Sequence, residues 1–275
     1  MVRVILHGHL RQFVPGERKV VHVDGAGKSA AAILESLGVP ASEAAAVVVG
    51  DEQVELDRVL RDGEALEAIP AISGGHRAPK FPPELADVLL SPERRAHLDP
   101  ARALGEFGLH ESAVFADLGC GPGFFTLPAA KIVGPRGRVH AADVQPEMLA
   151  RVREAAEASR IRNIETHLVR EEPREAGWMY DFGVAHRSVD LALVAFVLHE
   201  AEDPASFLRE AARLLGHAGR IAVLQWHKRD TYAGPAVQVR MTPDDTLSAV
   251  TDAGLRAQPA PSLDPDHYAF FVRPS

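Results

Sequence analysis

Three glycines at alternate positions, Gly119, Gly121 and Gly123, follow an apolar run from Ala113 to Leu118. Glycines so placed let a backbone approach a ligand closely at the carboxyl end of a strand. Asp117, just ahead of them, is an acceptor suited to an amine, such as the head of an amino-acid ligand. The amino end of the helix beyond the turn favours the carboxylate of that same ligand. Asp143 stands twenty residues after Gly123, ending the run Arg138 to Ala142, where a carboxylate can hold both hydroxyls of a ribose. Its other reading is a capping carboxylate for the helix that starts at Pro146. The spacing is G-x-G-x-G rather than G-x-G-x-x-G, so the pyrophosphate of a dinucleotide fits poorly.

A second group of residues lies at the end of a later apolar run, Leu191 to Phe196. Phe196 and His199 fall at the mouth of the same edge. His199 is a candidate base for an acidic C–H or O–H, with a buried, hydrogen-bonded imidazole that shapes the pocket as the alternative. Trp226, ending the next run, is either a wall for an apolar acceptor or part of the core. Cys120 sits inside the glycine turn and reads as a small packing residue.

The elements that must carry these residues alternate in the manner of a doubly wound α/β sheet. Strands are expected near 113–118, 138–143, 191–196 and 220–226, with helices near 124–130, from 146 and over 207–215. Gly216 to Gly219 reads as a turn, and Leu85–Leu90 and Pro100–Phe107 as short helices. Earlier residues follow another plan. Val2, Val4 and Leu6, then Val20 to Val23, then Ala46 to Val49 and Leu66 to Ile69 give four short strands, with a helix over Ser29–Leu37 that Gly38 ends. Two strands, a helix and two strands in so few residues suggest a β-grasp. Between Ile69 and Pro83 the Pro- and Gly-rich text IPAISGGHRAPKFPP is the expected linker. One feature is a decoy. Gly25-Ala26-Gly27-Lys28-Ser29 imitates the end of a phosphate-binding loop, but His22 replaces its first glycine, so it reads as a turn and helix start.

The formal net charge of −8 argues against a grip on nucleic acid. A single cysteine excludes an internal disulfide and a Cys-rich zinc site, and no metal is expected. No apolar run approaches the roughly 20 residues of a membrane-spanning helix, and the opening residues do not form a signal peptide. A soluble, cytoplasmic protein is the expectation.

Residues 2–75 resemble the ubiquitin-like sulfur carriers, the small subunit of molybdopterin synthase and the thiazole sulfur carrier, most specifically through VLRDGEALEAIPAISGG. That resemblance implies a terminal glycine that is adenylated and thiocarboxylated, with an activating enzyme or protease acting at Gly74-Gly75. Here Gly75 is followed by His76, so a free carboxylate requires cleavage. Otherwise the diglycine is a hinge. Residues from about 80 to 273 resemble class I S-adenosylmethionine-dependent methyltransferases, nearest the quinone-biosynthesis C-methyltransferases. The residues that carry it are DLGCGPG (117–123), HAADVQPEML (140–149), SVDLALVAFVLHEAEDP (188–204) and LLGHAGRIAVLQW (214–226).

The second resemblance implies a seven-stranded sheet with its last strand antiparallel, supplied by Tyr268–Val272. It implies S-adenosylmethionine as cofactor and S-adenosylhomocysteine as product. Asp117, Gly119 and Gly121 would contact the methionine part, with Cys120 and Gly123 in the same cofactor-binding loop; Asp143 would bind the ribose, Val144 would pack on the adenine, and Phe196 would lie at the mouth. Where relatives place an Asp near the adenine amine, this chain has Glu171, with Glu172 in reserve. The expected domains are 1–75, a linker at 76–83, and 84–275. The expected acceptor is small or lipophilic, and one cysteine argues against arsenic. Two alternatives stand beside the methyltransferase: a sulfur-carrier precursor cleaved after Gly75, and an NAD-linked oxidoreductase, which the glycine spacing disfavours.

Overall fold

Two periodicities in one chain produce two units: Met1–Pro79 with Pro235–Val239, and Lys80–Gly234 with Arg240–Ser275. The computed structural model describes residues 1–6, 10, 13–14, 20–39, 44–50, 52–70, 80–174, 177–229, 231 and 233–274. Gly74-Gly75 and most of the expected linker lie outside the described residues.

In the first unit, β1 (Val2–Leu6) pairs antiparallel with β2 (Val20–Val23). The helix α1 (Ala30–Ser36) follows, with Ser29 accepting the Ala32 N–H as its cap. Then come β3 (Ala44–Val49), β4 (Glu52–Val54) and β5 (Ala65–Pro70), giving the sheet order β2-β1-β5-β3-β4. β1 and β5 run parallel at its centre. Alternation turns Val2, Val4 and Leu6 inward, where Ile33 and Leu34 of α1 and Leu66 of β5 meet them. The sequence reading gave four strands. The fifth, β4, is three residues of mixed polarity pairing as a short hairpin with β3, too brief to show a period. The decoy loop is a turn. Lys28 Nζ donates to its neighbour Asp24 O at 2.9 Å, and a Cβ on Gly25 would strike Ile33 Cδ1 at 2.8 Å.

The second unit opens with a 3₁₀ helix over Pro83–Leu90, then α2 (Pro92–His97) and α3 (Pro100–Glu106). The main sheet begins with β6 (Val114–Leu118), followed by α4 (Thr126–Val133), β7 (Arg138–Asp143), α5 (Pro146–Ala158) and β8 (Ile164–Leu168). A separate hairpin, β9 (Arg170–Arg174) with β10 (Gly177–Asp181), interrupts the alternation. Then come β11 (Val189–Ala195), α6 (Pro204–Leu214), β12 (Leu215–Trp226), α7 (Pro243–Asp252), β13 (Leu255–Pro259) and β14 (His267–Pro274).

Seven strands lie in the order β13-β14-β12-β11-β6-β7-β8, and β14 alone runs against its neighbours. Its central strands are apolar almost throughout because helices cover both faces. One face carries Phe115, Val139, Leu193 and Leu224, the other Ala116, Val194, Ile221 and Val223.

One expectation is corrected, and one element is unexpected. Gly216–Gly219 is not a turn between elements but an irregularity within β12. Leu215 pairs with Val189 and Arg220 with Leu191, so the extra residues bulge out of register. Gly219 fits there only without a side chain, since a Cβ would lie 2.5 Å from Val189 O. The hairpin β9–β10 had no counterpart in the sequence reading, because REEPR carries charge on both faces and shows no apolar alternation.

Candidate functional site

The order reversal of the doubly wound sheet puts the carboxyl ends of β6, β7 and β11 side by side, the place where such sheets bind ligands. β6 delivers Asp117 and the glycine loop. Asp117 is 2% exposed and its Oδ2 accepts the Thr126 hydroxyl at 2.6 Å. Burial pushes its carboxyl up to about 7, helped by the nearby Asp143, while the Thr126 bond pulls the other way. Thr126 was not singled out by sequence. It opens α4, and only the fold turns its hydroxyl onto Asp117.

The three glycines have different reasons to be glycine. A Cβ on Gly119 (φ 81°) would lie 2.7 Å from Val197 Cγ2, and one on Gly123 (φ 96°) 2.5 Å from Leu127 Cδ2. Those two positions are crowded by the protein itself. Around Gly121 (φ 50°) the nearest atom is Leu89 Cδ1 at 3.8 Å, so its Cβ direction is open. Cys120 is buried between them, its N–H on Ala142 O at 3.0 Å and its thiol pushed up by burial. That is the packing role read from the sequence.

Asp143 ties the two strand ends together. Its Oδ2 accepts the Gly121 N–H at 2.8 Å and its Oδ1 the Gln145 N–H at 2.9 Å. The cap position of α5 is Gln145, which makes no side-chain cap bond, so Asp143 closes a turn ahead of the helix and is not its cap residue. Burial raises its carboxyl above the usual range, against the backbone donors Gln145, Gly121 and Val144 and against Lys80. Lys80 also forms an ion pair with Glu171. One lysine thus sits between the carboxylates expected for ribose and adenine, and the Gln145 amide reaches Phe81 O at 3.0 Å. Glu172 points elsewhere and pairs with Arg174 at 2.8 Å. Val144 is half-buried beside the core.

At the end of β11 the backbone turns sharply. Phe196 has φ 60°, an outlier for an aromatic residue, and its ring stands 6.5 Å from Phe125 and 5.5 Å from Trp226. Arg94 of α2 lies 4.3 Å over the Phe124 ring and 5.5 Å over Phe196. These residues form an aromatic wall immediately beside the glycine loop. His199 does not join it. It is 4% exposed on a short 3₁₀ turn (Leu198–Glu200), and burial lowers it to about 4 against a hydrogen bond with Gln225. Lys80 and Arg94 escaped the sequence reading because they precede the motifs in a segment without periodicity.

The chain carries a segment that matches a methyltransferase domain and, ahead of it, one that matches a ubiquitin-like domain. The family model described as "Methyltransferase domain" matches residues 116–223, and that described as "Mut7-C ubiquitin" matches residues 1–74. A SAM-dependent methyltransferase from Aquifex aeolicus, known from its crystal structure, is 28% identical with a TM-score of 0.63, covering 70% of this chain and 98% of that one. Aklanonic acid methyltransferase DauC of Streptomyces sp. (strain C5) is 34% identical over 106 residues, 38% of this chain and 44% of its own length. The arsenite methyltransferase of Halobacterium salinarum is 29% identical over 137 residues, 50% of this chain and 32% of its own. The chain thus spans less than half the length of these curated relatives. No helix among the described residues is long and apolar enough to cross a membrane.

Proposed function

We propose that this protein transfers a methyl group from S-adenosylmethionine to a small or lipophilic acceptor. The observation that carries the reading is the 2.8 Å bond from the Gly121 N–H to Asp143, which joins the glycine loop to the acidic end of β7 in one cradle. The residues fit such a donor. The loop is open in front of Gly121, the buried Asp117 carboxylate suits the ammonium of the methionine end, and Asp143 suits the ribose hydroxyls. Glu171, half-buried and inward of Glu172, suits the adenine amine, and Val144 its face. S-adenosylmethionine, when bound, supplies an activated methyl on a sulfonium. The protein's part is then to position the acceptor and exclude water, work that suits the aromatic wall at Phe196. His199, buried and bonded to Gln225, acts in this reading as a support of the pocket.

The likeness to an enzyme named for aklanonic acid favours a small organic acceptor. The single cysteine argues against arsenite, and the net charge of −8 against nucleic acid. We place the activity in the cytoplasm. The test is calorimetric titration of the intact protein with S-adenosylhomocysteine, with NAD as control. Micromolar binding of the first alone is expected, and binding of NAD alone would sink the reading.

A second role concerns the amino-terminal domain. The ubiquitin-like match ends at Gly74, within the diglycine. That position supports a sulfur carrier released by cleavage after Gly75 and thiocarboxylated there by an activating enzyme. Mass spectrometry of the protein from its own cells would find a fragment ending at Gly75. Intact chain alone would leave the diglycine as a hinge.

A further inference from the structure

One buried atom beside the aromatic wall has no partner. His267 begins β14, opposite Trp226 in register, with its side chain 0% exposed. Its Nδ1–H is held by the Asp264 carboxylate, at 2.7 Å from Oδ2 and 2.9 Å from Oδ1. Asp264 is itself fixed, because its Oδ1 also accepts the N–H groups of Asp266 and His267 at 2.8 and 3.2 Å. With the proton on Nδ1, the neutral ring presents Nε2 as a lone pair. That Nε2 is enclosed and makes no hydrogen bond among the described residues. A buried acceptor without a donor is costly, and such atoms call for a ligand.

The surroundings say which kind of ligand. The His267 ring lies 4.0 Å from the Trp226 ring and 5.0 Å from Phe196, centroid to centroid. Phe196 in turn faces Phe125, which follows directly on the glycine loop. A carboxylate that orients an imidazole whose other nitrogen is unpaired has the build of a general base. The rings packed against it are flat, a surface on which a planar apolar partner stacks.

We propose that His267, oriented by Asp264, is the catalytic base of the reaction, and that the acceptor is a planar aromatic molecule with a phenolic or enolic hydroxyl. This rests on the methyltransferase reading above. The acceptor oxygen forms its bond to the methyl carbon while the carbon–sulfur bond of the donor breaks and its electron pair stays on sulfur. The hydroxyl proton goes to Nε2, and the resulting imidazolium keeps its Nδ1–H on Asp264. The charged groups around the ring are Asp264 and Asp266 in its own turn and Arg94 from α2, with Arg240 5.2 Å from the Trp226 ring. Burial holds the imidazole below its ordinary range, Arg94 adds to that, and the two aspartates oppose it. The ring is therefore in its basic form at neutral pH.

The test uses the full chain saturated with S-adenosylhomocysteine and 1-naphthol as the probe. In long-range nitrogen-15 spectra His267 should show protonated Nδ1 and bare Nε2, and the Nε2 signal should move on adding naphthol. H267Q should bind naphthol about tenfold more weakly or worse with unchanged affinity for S-adenosylhomocysteine, which also reports that the variant is folded. With labelled donor, H267Q should form naphthyl methyl ether about 10²-fold more slowly or worse and lose the acid limb of the pH profile. D264N, which keeps one oxygen on the turn, should move that limb. Equal naphthol binding in H267Q and wild type, an unmoved acid limb, or a protonated Nε2 in the resting protein each overturns the proposal. So does failure of naphthol to bind where S-adenosylhomocysteine binds. Failure of S-adenosylhomocysteine itself removes the methyltransferase reading, and this one with it.

Discussion

Around the glycine loop, position is fixed by backbone: two of the three glycines are enforced by packing against Val197 and Leu127, and Asp143 is held by peptide N–H groups. Around Phe196 it is fixed by rings from the start of α4, β12 and β14, with the Arg94 guanidinium of α2 laid over them. The first construction tolerates little change, because its glycines hold positive φ and two of them leave no room for a side chain beside Val197 and Leu127. The second allows side chains to be exchanged while the wall remains, which is how one donor fold can serve many acceptors.

The sharpest way to break this contrast is through the glycines. Gly123→Val places a Cβ within 2.5 Å of Leu127 at φ 96° and should cost about 3 kcal/mol or more of folding stability, measured by urea unfolding. Gly121→Val meets only Leu89. It should cost about 1–2 kcal/mol for its positive φ yet abolish binding of S-adenosylhomocysteine in calorimetry. If both variants lose stability equally, the loop is simply rigid and its open centre means nothing.

Asp143→Ala comes next. It should weaken S-adenosylhomocysteine by about 1–3 kcal/mol through the lost charged hydrogen bonds, and unchanged affinity would remove the ribose assignment. A smaller effect follows from Asp117. Burial penalises the charged form and pushes its carboxyl up to about 7 in the folded protein, above its ordinary 3.8. The fold therefore loses stability as pH rises from the unfolded value toward about 7, and an ammonium ligand reverses the penalty. Affinity should climb by at most about tenfold per unit as pH rises toward about 7 and level off above it, with proton release seen by titration in two buffers. A flat profile would place the ammonium elsewhere. The smallest change belongs to the ring side. Trp226→Phe should leave the affinity for S-adenosylhomocysteine within about twofold, since a volume-conserving change to an apolar ring costs under about 1.5 kcal/mol. A tenfold loss would mean that Trp226 belongs to the donor site.

The same contrast explains what could be read from the chain. Asp117, the glycines and Asp143 announce themselves because one strand–turn–helix unit and the next strand carry them all, with period and spacing intact. Cys120, a small residue inside the same tight turn, is buried. Lys80 and Arg94 lie in a segment whose apolar residues keep no register, and the charged hairpin around Glu171 hides its pairing. His267 was missed by one residue. The last strand was expected from Tyr268, and only the fold reveals that Asp264 and His267, three apart in a Pro-containing turn, face each other and Trp226. The bulge at Gly216–Gly219 misled because glycine clusters between apolar runs usually are turns.

Phe196 is held at φ 60°, a conformation that favours glycine or asparagine. Position 196 is therefore where stability and activity should pull apart under selection. Chains selected only for heat resistance would relax this backbone and give up its ring, whereas chains selected for turnover would keep both the strain and the ring.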